Sequence, residues 1–262
     1  MVHRPRQSCL SWPVSFVAPL AAAHTPTQVP AMSTFDEIPR IVTRAARKTA
    51  RYALLGTAPD QATGIWFALH GYGQLVPRFI RHFAEVVPPG VCVVAPEGLS
   101  RFYVDQPAAD GRHLQRVGAT WMTRENREDD IADTMLWLDT VFGEIVTMER
   151  RTVAVGVLGF SQGVATATRW VVHRGLRPRA FVAWAGSLAH DVDDAALAAA
   201  LVHARVTLVR GGDDLLMSDA QAEEQRSRLA RAAPDTHLLT FAGAHRLDRS
   251  VLASLLSQLS PS

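Results

Sequence analysis

The sequence predicts an α/β protein with a mainly parallel central sheet and helices on both of its faces. Three observations carry this. From residue 40 onward, short apolar runs alternate with amphipathic stretches. The runs are rich in β-branched residues and almost uninterrupted by polar ones, the pattern of strands covered on both faces. Finally, 262 residues with 48% hydrophobic and 20% charged side chains suffice for one large domain and one well-buried core.

Taken in order, the runs predict strands over residues 51–55, 65–69, 91–95, 153–158, 180–184, 206–209 and 237–241. Cys92, within the third, reads as a small buried hydrophobe. Helices are predicted over 76–87, 127–145, 162–173, 193–201, 218–232 and 246–259. Asn126 is placed to cap the second helix, with Asp129 and Asp130 in its first turn, where the helix dipole favours negative charge. Capping accounts for these acids more simply than a carboxylate cluster for metal or acid-base work. Residues 97–125, containing Gly98, Gly111 and Gly118, form the longest irregular stretch and are expected to contact substrate. No repeat or linker interrupts residues 35–262, which leaves one domain without a large lid.

Composition excludes several classes. Cys9 and Cys92 provide no disulfide framework and no metal cluster. The formal net charge of +2 traces to Arg4 and Arg6, since residues 1–31 contain no acid and the remainder holds 25 basic against 25 acidic residues. No basic face points to nucleic acid, and no apolar run reaches the length of a membrane span. Residues 1–34 form an extension with a basic start, a moderately apolar middle broken by Pro13 and Pro19, and a Pro/Thr-rich end. It fits a misassigned start, with translation from Met32, a secretory signal cleaved after Ala23, or a functional tail. The expectation is a cytoplasmic monomer or homodimer, exported if residues 1–23 are a signal.

The chemistry centres on Gly159-Phe160-Ser161-Gln162-Gly163, between the apolar strand 153–158 and the apolar helix 162–173. A G-x-S-x-G sequence at a strand-to-helix junction is the setting in which a serine becomes a nucleophile. The sharp turn tolerates almost no flanking side chain and exposes the hydroxyl, and the Gln162 N–H points to where an oxyanion forms. Without that context the motif would read as an ordinary turn.

Such a serine needs a histidine base oriented by a carboxylate. On the α/β-hydrolase plan these follow in the order serine, acid, histidine, each after the C-terminal end of a strand. Among the later histidines, His173 ends the nucleophile helix, His203 precedes its strand, His237 lies within one as half-buried structure, and His190 precedes any suitable acid. His245, after the last strand and a small-residue turn, is the base. The acid is then Asp213 or Asp214, in the turn after strand 206–209. Leu69-His70-Gly71-Tyr72-Gly73 follows the strand 65–69 and supplies a second oxyanion donor, the Tyr72 N–H. His70 orders that loop, since no Cys or His lies at metal-ligand spacing from it.

Together these residues resemble the phospholipase/carboxylesterase family, the small carboxylesterases and acyl-protein thioesterases. The matching elements are His70-Gly71-Tyr72-Gly73, Ala95-Pro96, Trp121, Gly159-Phe160-Ser161-Gln162-Gly163, the turn Arg210-Gly211-Gly212-Asp213-Asp214 and Gly243-Ala244-His245, in order over about residues 50–260. The family's H-G-x-x-D turn, laid on residues 210–214, places the acid at Asp214, and the resemblance implies that Trp121 lies beside the acyl pocket. Arg210, Val164, Gln74 and the bulky Tyr72 depart from the pattern and bear on pocket shape. The expected activity is hydrolysis of short- to medium-chain carboxylic esters through an acyl-enzyme, without cofactor or metal. The alternatives are a thioesterase acting on acyl-CoA or acylated protein, and a non-catalytic binding protein on the same fold.

Overall fold

A computed structural model describes residues 40–107, 113–147 and 152–260. The extension 1–34 lies outside the described residues. Residues 40–46 belong to an N-terminal unit and are exposed without regular structure, and the second compact unit begins at Arg47.

Within the second unit the strands β1 (Tyr52–Gly56), β2 (Gly64–Leu69), β3 (Val91–Pro96), β6 (Ala154–Phe160), β7 (Ala180–Trp184), β8 (Arg205–Gly211) and β9 (His237–Phe241) form one sheet in the order β1-β3-β2-β6-β7-β8-β9. Only β1 runs antiparallel to its neighbour. The helices are α1 (Val76–Phe79), α2 (Arg127–Ile145), α3 (Gln162–His173), α4 (Asp194–Leu201), α5 (Asp219–Ala232) and α6 (Arg249–Leu256).

The pleat divides each strand between two cores. Ile65, Phe67 and Leu69 of β2 pack with Leu138 of α2, Trp170 of α3 and Leu229 of α5. Trp66 and Ala68 pack on the opposite face with Phe79 of α1, Phe83 and Leu252 of α6. Burial on both faces is why the strands read as continuous apolar runs. At about 25 cal/mol per Å² of apolar surface, a single such tryptophan or phenylalanine contributes on the order of several kcal/mol.

Three expectations change. The helix over 76–87 is one α-turn, α1, continued by a 3₁₀ turn at Ile80–Phe83, and Glu85 takes a left-handed φ of 69°. Tightening the turn brings Val76, Phe79 and Phe83 onto one buried face. Asn126 does precede α2, but in a left-handed conformation (φ 47°) with no side-chain cap, and Asp130 instead accepts the Thr123 N–H at 2.9 Å. The stretch 97–125 is not irregular: β4 (Ser100–Pro107) and β5 (His113–Thr120) pair antiparallel as a separate hairpin. Its base is stitched to the loop after β2, where Gly73 N–H donates to Ala119 O at 2.9 Å and Gln74 bridges Ala119.

Candidate active site

The strand-to-helix turn at Ser161 is built from two close approaches. β6 ends at Phe160 and α3 starts at Gln162, so Ser161 makes the turn alone, at φ 53° and ψ −119°. That backbone is sparsely populated for an L-residue and persists only when its surroundings over-determine it. Here the Ser161 N–H donates to Trp184 O at 2.8 Å, and Ser161 O accepts the Val164 N–H at 2.9 Å. A Cβ on Gly159 would lie 2.5 Å from Gly163 O, and one on Gly163 would overlap Leu69 O. Both glycines are therefore required by space.

Asp214 and His245 come from the loops after adjacent strands, β8 and β9. Gly212 N–H donates to Phe241 O at 2.8 Å and Asp213 N–H to Gly243 O at 2.9 Å, which ties the turn after β8 to the loop after β9. In that turn Asp213 faces solvent while Asp214 is buried. Asp214 Oδ2 accepts a hydrogen bond from His245 Nδ1 at 2.9 Å. Its Oδ1 accepts the N–H groups of Leu216 and Met217 at 2.8 and 3.1 Å. An ionised carboxylate only accepts, so Nδ1 carries the proton and Nε2 presents a lone pair. The imidazole also packs on Phe160, with ring centroids 5.1 Å apart. Arg210, a departure from the family turn, is buried, donates to Gly211 O and Gly212 O at 3.1 and 3.3 Å, and pairs with Asp219. It fastens the two carbonyls that precede the acid.

The loop after β2 lies against the serine: a Cβ on Gly71 would be 3.1 Å from Ser161 Cβ. Gly71 N–H is taken by Gln74 Oε1 at 2.7 Å. Among the described residues neither the Tyr72 N–H nor the Gln162 N–H has a protein acceptor. Gln162 holds its position through its side chain, which receives the Trp121 N–H at 3.3 Å and donates to Thr120 Oγ1 and Met122 O at 2.9 and 3.0 Å. These contacts join the elbow to the end of the hairpin. Behind the loop, Glu97 is buried, chelated by both arms of Arg51 at 2.9 Å and by Arg101 at 2.6 Å, and accepts the Val76 N–H at 3.0 Å. Although burial opposes ionisation, the two guanidinium groups and the Val76 N–H hold its carboxyl below the ordinary range.

Trp121 is not among the residues lining the cavity that holds Ser161, although its N–H bonds Gln162. It is 2% exposed, stacks on His70 with centroids 4.6 Å apart, and donates its indole N–H to His70 O at 2.7 Å. It supports the loop after β2 from behind. The cavity of about 290 Å³ that contains Ser161, Gln162 and His245 is walled instead by Ala165, Ala185, Gly186, Ser187, Leu216, Met217 and Gln221. Leu216 and Met217 follow Asp214 closely, and their N–H groups bond its Oδ1. Ala165 carries a helical-register signal, one turn along α3 from the nucleophile. His237, expected half-buried, is exposed at the start of β9.

His70 makes the fold pH-dependent. Its Nδ1 donates to Gly71 O at 2.8 Å and its Nε2 accepts the Gly98 N–H at 2.9 Å, an arrangement open only to the neutral ring. Burial pushes its pKa down to about 4. The unfolded chain, with a histidine pKa near ~6.5, therefore binds a proton that the folded one refuses. This contribution is complete above about pH 6.5 and falls away from there to about pH 4, by about 3 kcal/mol. Urea unfolding at pH 7.5 and 4.5 measures the drop, which shrinks in His70→Gln, where the amide oxygen replaces the ring nitrogen as acceptor.

No protein-family model matches the sequence, and no curated protein matches it. Solved structures do. Acyl-protein thioesterase 2 from Zea mays superposes with a TM-score of 0.58 at 14% identity, over 81% of this chain and 100% of that one. A carboxylesterase from Mesorhizobium loti gives 0.58 at 17%, over 81% and 95%, and the esterase PE8 0.55 at 19%, over 81% and 98%. With the seven-stranded sheet and its strand order, these likenesses establish the α/β-hydrolase fold for this chain.

Proposed function

We propose that the protein is a serine carboxylesterase acting on short- to medium-chain esters. The observation that carries this is the joint placement of Ser161 and His245 on one cavity, with Asp214 on the far side of the imidazole and two uncommitted N–H groups beside the serine. In this reading Ser161 Oγ attacks the ester carbonyl while His245 Nε2 takes its proton. Tyr72 and Gln162 N–H groups stabilise the oxyanion, each worth about 10²–10³ in rate. His245 returns the proton to the leaving alkoxide, freeing an alcohol, and then activates water to release the acid from the acyl-enzyme. A thioester would react by the same steps, and an acyl-protein thioesterase is among the structural neighbours. The small wall residues Ala165, Ala185 and Gly186 support a short acyl group.

A p-nitrophenyl ester series, set beside the matching acyl-CoA thioesters, tests the reading. Activity on short and medium chains that falls for palmitate is expected, with Ala165→Leu moving the optimum to shorter chains while acetate hydrolysis persists. Turnover of thioesters alone would move the assignment to a thioesterase, and turnover of neither would overturn it.

A further inference from the structure

We propose that the cavity at the N-terminal ends of β7, β8 and β9 binds a small, multiply charged phosphate-type anion, at the opposite end of the sheet from Ser161. Parallel register sets these strand starts side by side, with Ala180 opposite Arg205 and Thr207 opposite His237. Arg179 precedes β7, Arg205 opens β8 and His237 opens β9. With His203, Asp235 and Gln258 they enclose about 420 Å³, more than the cavity at Ser161.

The arginine pair points to an anion. Arg127, Arg169, Arg228 and Arg231 all engage carboxylates. Arg179 and Arg205, although held next to each other by the backbone bond from Arg205 N–H to Arg179 O at 2.9 Å, engage none among the described residues. Two adjacent like charges facing one concavity repel, and an anion relieves that repulsion. Asp235 is the one acid in the wall, so the two guanidinium groups outweigh it. Guanidinium forks match phosphate oxygens in pairs. A hydrogen phosphate or hydrogen pyrophosphate group supplies the anionic oxygens that the two arginines match.

Calorimetric titration of the full chain with sodium pyrophosphate at low ionic strength tests the site. Saturable one-to-one binding is expected, weakened about tenfold or more by Arg179→Ser and by Arg205→Ser, and tightened by Asp235→Asn. Ser161→Ala should bind as the parent does, which separates this site from the catalytic cavity. Citrate should bind more weakly than pyrophosphate. The arginines are exposed, so thermal melts matching the parent are expected for both variants. The proposal is overturned by the absence of saturable binding, by unchanged binding in the double arginine variant, or by equal binding of citrate.

Discussion

Ser161→Ala is expected to lower ester turnover about 10⁶-fold, the largest effect of any single substitution in this molecule. The change deletes only the oxygen that would become covalently attached to the acyl group. Ser161 lies in a turn fixed by Gly159, Gly163 and the bond to Trp184 O, so the elbow keeps its shape. Residual activity of about 10³ over water should survive, because the Tyr72 and Gln162 N–H groups remain. The parent enzyme should form a serine adduct with an organophosphonate, visible as a mass increase that Ser161→Ala lacks. Undiminished hydrolysis by the variant would end the acyl-enzyme proposal.

The second large effect is expected at Asp214. Asp214→Asn should reduce kcat about 10⁴-fold, and Asp213→Asn should leave it nearly unchanged. The asymmetry follows from hydrogen bonding. Asp214 Oδ1 receives two backbone N–H groups, so an asparagine would keep its oxygen there and turn its NH₂ toward His245 Nδ1. Nδ1 would then have to accept, its proton would move to Nε2, and the ring could no longer take a proton from Ser161. Steady-state kinetics on the two variants decide the matter, and a larger loss at Asp213 would reverse the assignment of the acid.

Much of this was legible in the sequence because the relevant signals are local. Strands buried on both faces announce themselves as unbroken apolar runs, and β7 and β9 carry the expected bounds, as do α2 and α3. Ser161, Asp214 and His245 each follow a strand, so chain order alone finds their neighbourhoods. The hairpin β4–β5 was not legible, because its strands are part exposed and carry charge, and its glycines read as loop. The distant hydrogen bonds were hidden for a different reason. Gln162 on residues 120–122 and Glu97 under the loop after β2 join backbone to side chain across elements, and no spacing within one element encodes them. Trp121 is hidden in the same way, since its indole N–H bonds the His70 carbonyl 51 residues earlier in the chain.

The strand order has a consequence for how the molecule comes apart. β6, which carries Ser161, is the middle strand and is flanked by β2 and β7, whereas β9, which precedes His245, is an edge strand held on one side by β8 alone. Amide protons in a central strand exchange only on global opening, while edge strands open by smaller, local excursions. Ser161 therefore rests on the last part of the sheet to open, and His245 follows one of the first. Mild denaturant is expected to abolish the proposed esterase activity by detaching His245 while the sheet beneath Ser161 stays folded, so that recovery requires re-docking one strand and not refolding the chain.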